Sequence, residues 1–132
     1  MKNKDLLKYA IDATKNSYSP YSNFKVGAAI LLKNGNIIKG ANIENASYGL
    51  TNCAERSALF TAYSLGYRKD DIVGIAIASF SNPPASPCGA CRQVISELMN
   101  DDSFVVYGND QGEVYEVQVK DLLPLAFTKE CL

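Results

Sequence analysis

The sequence predicts a three-layer α/β/α sandwich around a mixed sheet of about five strands. Three observations lead there. Apolar runs at residues 24–32 and 37–43 flank Asn34-Gly35, the pattern of an antiparallel hairpin. Residues 72–80 form a nearly continuous apolar run, as in a strand covered on both faces. Helical and strand patterns follow in the order α-β-β-α-β-α-β-β, which sends helices to both sides of one sheet. No internal repeat, low-complexity tract or linker-like shift interrupts the 132 residues, so 1–132 reads as one domain with one sizeable core.

The elements follow in order. Residues 4–16 carry Leu7, Ala10, Ile11 and Thr14 at helical spacing, a first helix. Ser17 to Ser22, reading S-Y-S-P-Y-S, breaks it, because Pro20 disfavours helix at Ser19. The hairpin comes next, with Asn34 and Gly35 expected as a two-residue turn at positive φ. Residues 45–52 are polar and turn-rich, a second helix spans 53–65, and Gly66 stops it. After the strand at 72–80, residues 81–87 hold three prolines and form a loop. A third helix spans 89–99, with Val94, Ile95 and Leu98 on one stripe. Strands at 104–107 and 114–119, a short helix at 120–123 and a tail beyond Pro124 containing Phe127 complete the chain.

Composition narrows the function classes. A net charge of −1 gives no basic surface for a phosphate backbone, so no nucleic-acid partner is expected. No apolar run reaches the roughly 18 to 20 residues that cross a bilayer, so no membrane partner is expected either. The N-terminus is polar and leads into an amphipathic helix without the pattern of a signal peptide, which points to the cytoplasm. The chain contains no histidine, so proton transfer near neutral pH falls to a carboxylate, a thiolate or bound water.

Chemistry concentrates in two stretches, Cys53-Ala54-Glu55-Arg56 and Pro87-Cys88-Gly89-Ala90-Cys91. Cys88 and Cys91 lie three apart at a helix start, which puts both sulfurs on one face of the first turn. Cys53 opens the second helix. Helix N-termini are partly positive and lower thiol pKa, favouring the thiolates that bind zinc. Three thiolates would hold one Zn2+ per chain and leave a tetrahedral position for water, as in catalytic zinc sites. Glu55 shares a helix stripe with Ala58, Leu59 and Ala62, where a carboxylate is costly unless it is paired or neutralised. Near a metal it has a use: it can accept a proton from the activated water, and burial raises its pKa into the range of a proton shuttle. Zinc with three thiolates carries a formal charge of −1, and Arg56 beside Cys53 is placed to compensate it. Taken singly, each of these features is ambiguous. A lone C-x-x-C is equally a redox pair, a structural zinc half-site or two core thiols. A Glu near a helix start is commonly a surface residue favoured by the dipole. Cys131 could complete a closed four-cysteine site, making the protein a zinc-stabilised binding module without turnover.

C-A-E followed by P-C-x-x-C resembles the zinc nucleoside and nucleobase deaminases. Four ordered blocks, Y-S-N-F-K-V-G-A-A from Tyr21, G-A-N-I-E-N-A-S from Gly40, N-C-A-E-R-S-A from Asn52 and S-P-C-G-A-C-R-Q from Ser86, resemble the small homotetrameric cytidine deaminases nearly end to end. The resemblance implies hydrolytic deamination of cytidine and 2′-deoxycytidine. It makes Cys53, Cys88 and Cys91 zinc ligands and Glu55 the proton shuttle. Asn42 and Glu44 would bind the ribose, and their i, i+2 spacing on a strand would put them on one face. Phe24 would line the pocket and the Ala54 backbone would read the base. Ala46, Tyr48 and Phe127 would complete the sites of neighbouring subunits in a homotetramer. The rival within the same fold is deamination of another aminated pyrimidine or a nucleoside antibiotic. Two departures from the family's pattern stand out: Lys25 where Pro is frequent, and Leu125 where Gly is common.

Overall fold

The computed structural model describes residues 1–132. Helix α1 (Leu7–Ala13) is extended at both ends by 3-10 turns, Asn3–Leu6 and Thr14–Asn16. Five strands follow the expected course: β1 (Val26–Leu32), β2 (Ile37–Ala41), β3 (Ile72–Ser79), β4 (Phe104–Gly108) and β5 (Val114–Gln118). Their order in the sheet is β2-β1-β3-β4-β5, with only β3 and β4 parallel. The crossover between those two carries α3 (Gly89–Leu98), while α2 (Ala54–Ser64) fills the connection from β2 to β3. A single turn of helix, α4 (Val119–Leu122), follows β5.

The continuous apolar run of β3 divides its residues by the period of two. Ile75 and Ile77 pack with Ala58, Leu59, Ala62 and Ile95 of α2 and α3. Ala76 and Ala78 face Leu6, Leu7 and Ala10 of the first helical segment. Helices therefore cover both faces, which is the predicted sandwich. Side-chain size sets the layer spacing: the α1 face is lined by alanines, and a Cβ added to Gly27 of β1 would lie 2.0 Å from the Ala10 carbonyl oxygen.

The hairpin departs from the expected turn. Only Gly35 takes positive φ, at 90°, and Asn34 does not. The Gly35 N–H bonds the Leu32 carbonyl at 2.9 Å and the Leu32 N–H bonds that of Asn36 at 2.9 Å. This is a three-residue loop ending in a left-handed glycine, a geometry that needs positive φ at one position instead of two. The end of α2 follows expectation. Gly66, at φ 98°, donates to Tyr63 and Tyr67 donates to Ala62, both at 3.0 Å, so the glycine closes the last turn with two capping bonds.

Gly40 brings β2 against α2 at backbone distance, since an added Cβ would lie 2.5 Å from the Ala58 nitrogen and 2.8 Å from the Ala54 oxygen. Gly40→Ala forces the two elements apart and should cost about 2 kcal/mol or more. Gly66→Ala meets no neighbour and suffers only from its left-handed backbone, about 1 kcal/mol. Urea denaturation midpoints of the two variants test this order.

Candidate active site

Two helix N-termini meet at one edge of the sheet, and each is entered through a cysteine. Cys53 is the N-cap of α2 and Cys88 that of α3, both with extended backbone. Their carbonyls accept the first helical bonds, from Ser57 at 3.0 Å and Arg92 at 2.9 Å. Cys91, inside the first turn of α3, is fully buried. The three sulfurs lie within 4.8 Å of one another. Cys131 stands outside this cluster, exposed in the C-terminal turn, so the four-cysteine alternative gains no geometric support.

The electrostatics suit a soft divalent cation. A hydrogen bond from Cys91, assisted by Arg56 and Cys88, holds the Cys53 thiol at about 5 against the opposing effect of burial. Cys91 keeps the proton of the pair: its bond to Cys53 and its burial push it well up. Metal binding by thiolates displaces such protons. Arg56 reaches Cys53 Sγ with Nη2 at 3.1 Å, and this contact raises its own pKa. Its Nε is buried without a partner. Three convergent sulfurs form a donor set that fits zinc, and two positive helix ends and a guanidinium favour their thiolate forms.

Glu55, the second residue of α2, is 4% exposed. It is in no ion pair, the only two in the chain being those of Lys15 and Lys39 with Asp12. Burial, with the Cys53 charge adding to it, pushes its carboxyl above the usual range. Glu55 lines a cavity of about 210 Å³ together with Cys53, Cys88, Ala54, Phe24 and Asn42. A buried acid facing space beside metal-type ligands has no structural task that an apolar residue would not do better.

Asn42 and Glu44 lie just beyond the end of β2, on either side of Ile43 in a short extended segment. Strand β2 ends at Ala41, and beyond it Ile43 makes isolated bridges to Tyr18 and Asn52. Asn42, 8% exposed, turns inward. Its Oδ1 accepts from the Val26 N–H at 3.0 Å and the Ser17 hydroxyl at 2.5 Å, and its Nδ2 donates to the Phe24 carbonyl at 2.7 Å. The Asn42 side chain thus takes the Val26 N–H, while its backbone N–H still reaches the Val26 carbonyl at 3.3 Å and its own carbonyl accepts from Tyr18 at 3.0 Å. Glu44 lines an adjoining hollow with Tyr21, Ser22 and Tyr48, and Thr51 borders both spaces. Ala46 is exposed and lines neither. Tyr48 is 77% exposed and meets Tyr21 edge-on, with ring centroids 6.2 Å apart. Phe127 is 60% exposed and lies beside Lys69, Ser96 and Glu97, off the cavity. Leu125 sits at φ 58°, the left-handed region where Gly carries no steric cost.

Sequence reasoning missed three contributors. Thr51 and Ser86 line the cavity, and no motif chemistry singles them out. Arg92 braces the entry to α3: Nε donates to the Pro87 carbonyl at 2.8 Å, Nη1 to that of Leu122 at 3.0 Å and Nη2 to Ser86 Oγ at 3.1 Å. Its place beside Cys91 is the only signal that points to it. Arg92→Ala should release the approach to Cys88 and weaken metal retention by roughly 10- to 100-fold, the usual effect of losing a supporting partner of a ligand. A zinc-chelator competition titration reads this, and Arg92→Lys, one point charge for a three-way fork, should recover only part.

Residues 1–108 match the family model described as the cytidine and deoxycytidylate deaminase zinc-binding region. A cytidine deaminase of Halalkalibacterium halodurans is 58% identical over 125 residues, covering 95% of this chain and 93% of that protein. One from Sporosarcina psychrophila is 48% identical over 91% of this chain and 87% of its own length. Among solved structures, a cytidine deaminase from Burkholderia pseudomallei superposes with a TM-score of 0.92 at 49% identity, over 96% of this chain and 100% of that one.

Proposed function

We propose that this chain, which belongs to the cytidine and deoxycytidylate deaminase zinc-binding family, hydrolyses cytidine and 2′-deoxycytidine to uridine and 2′-deoxyuridine with release of ammonia. The observation that carries the chemistry is the buried, unpaired carboxylate of Glu55 in a cavity it shares with two of three clustered cysteines. Cys53, Cys88 and Cys91 would hold one zinc, which when bound supplies the acidity that makes water a nucleophile at neutral pH. Arg56, donating to Cys53 Sγ, offsets the charge by which three thiolates exceed a divalent cation.

Glu55 then moves the protons. It takes one from the attacking water and protonates ring nitrogen 3 as the oxygen bonds to carbon 4. It takes the second from the new hydroxyl and delivers it to the amine, which leaves as ammonia while the carbonyl forms. Its raised pKa lets one group serve as base and acid in turn. Phe24 lines the base pocket, the Ala54 backbone reads the base, and Asn42 and Glu44 hold the ribose. Ala46, Tyr48 and Phe127 complete the sites of neighbouring chains in a homotetramer. This reading is supported by the exposure of all three and by the absence of Ala46 and Phe127 from the lining of both the Glu55 cavity and the Glu44 hollow. The reducing cytoplasm is the compartment that keeps the three thiols free to bind metal.

The direct test is the ultraviolet absorbance of cytidine mixed with the protein. It should fall steadily, stop when a strong chelator removes zinc and resume on its return; no change in zinc-loaded protein would refute the assignment. Glu55→Ala should lose at least about a hundredfold in kcat, the scale of general acid–base catalysis, while retaining its zinc. Competition by cytidine, free cytosine and cytidine monophosphate tests the substrate class: the nucleoside should bind best.

A further inference from the structure

One hydroxyl joins two parts of the site that lie in different stretches of chain. Ser22 Oγ donates to Glu44 Oε2 and accepts the Phe24 N–H at 3.0 Å. The other carboxylate oxygen, Oε1, accepts the backbone N–H groups of Tyr21 at 3.0 Å and Ser22 at 3.1 Å. Glu44 is thus seated in a cradle of three donors at the turn before Phe24. The turn is closed by the Asn23 N–H on the Ser19 carbonyl at 3.0 Å, with Asn23 in the left-handed region at φ 57°. Phe24 faces the Glu55 cavity, whereas Glu44 faces the adjoining hollow. The hydroxyl therefore sets where a sugar-facing acceptor stands relative to a base-facing ring.

We propose that Ser22 is a positioning residue for nucleoside binding, its hydroxyl fixing the Glu44 carboxylate relative to Phe24; this rests on the deaminase reading above. Two carboxylate oxygens offer about four acceptor sites, and three donors fill all but about one of them, on Oε2. That remaining site accepts from a sugar hydroxyl only if the group is held in one orientation. Without Ser22 Oγ, Oε2 loses its only protein donor and the carboxylate regains freedom about its last torsion. The hydroxyl is also the foremost influence holding the Glu44 carboxyl below its ordinary range.

The test compares Ser22→Val with Ser22→Thr in the full zinc-loaded chain. The two replacement side chains have the same shape and differ in the hydroxyl. Ser22→Val should raise KM for cytidine about tenfold, the usual worth of a hydrogen bond to a charged group, with kcat within about twofold, and Ser22→Thr should stay near the parent. With 2′,3′-dideoxycytidine, which lacks both ring hydroxyls, the Val penalty should shrink to the part carried by Phe24. Combining Ser22→Val with Glu44→Gln should give less than the sum of the single penalties. An equal penalty on both substrates, strict additivity with Glu44→Gln, or an unchanged KM in Ser22→Val would overturn the proposal. Should Ser22→Val not fold, Ser22→Ala takes its place against Ser22→Thr under the same criteria. A parent chain that leaves cytidine unchanged would instead refute the deaminase reading, so the two failures are distinct.

Discussion

Everything in this site depends on two helices starting at the same point. Each N-terminus brings unsatisfied N–H groups and a partial positive charge, and together they make a place where several negative groups can be buried side by side. Cys53 and Cys88 stand at the two caps, with Glu55 and Cys91 inside the first turns. Neither helix could supply the cluster alone. Their meeting is enforced at a distance by small residues: Gly40 lets α2 lie on β2, and Ala54, Ala58 and Ala62 keep that helix close to the sheet. The chemistry of the site is therefore a consequence of backbone proximity set by side chains that carry no chemistry themselves.

The same logic separates what the sequence made legible from what it did not. Periodicity located every strand and the three long helices, because burial on one or two faces leaves a direct imprint on residue order. The zinc-type cluster was legible because Cys-x-x-Cys at a helix start leaves few geometries, and Glu55 because it sits on an apolar stripe. Asn42 and Glu44 were placed on one strand face by spacing alone, and the strand itself ends before either. An asparagine side chain can bond backbone in place of a strand partner. Asn42 does so with Phe24 and Val26, and β2 ends two residues early, although burial still alternates from Asn42 through Ile43 to Glu44. Asn34-Gly35 misled for a related reason: tolerance of positive φ is not a requirement for it, and one glycine sufficed. The braces formed by Arg92, Ser17 and Ser22 were illegible because the bonds they make are largely set by where the backbone runs, which leaves no compositional trace.

The absence of histidine is the constraint that ties the remaining features together. A histidine ligand would have been neutral; three thiolates are not, and an excess negative charge on the cluster would blunt its power to acidify water. Arg56 answers this by placing Nη2 on Cys53 Sγ, and the geometry has a visible cost, since Nε of the same guanidinium is left buried and unpartnered. Such an orphaned donor usually costs about 1 to 3 kcal/mol. A chain selected only for stability would exchange Arg56 for an apolar residue and remove that cost. Its retention beside a carboxylate that is likewise buried without an ion pair means that two separate destabilising choices converge on one cluster. A single choice of this kind would be ordinary. Two of opposite charge, each set against the same sulfurs, have in common only the reaction that the cluster would support.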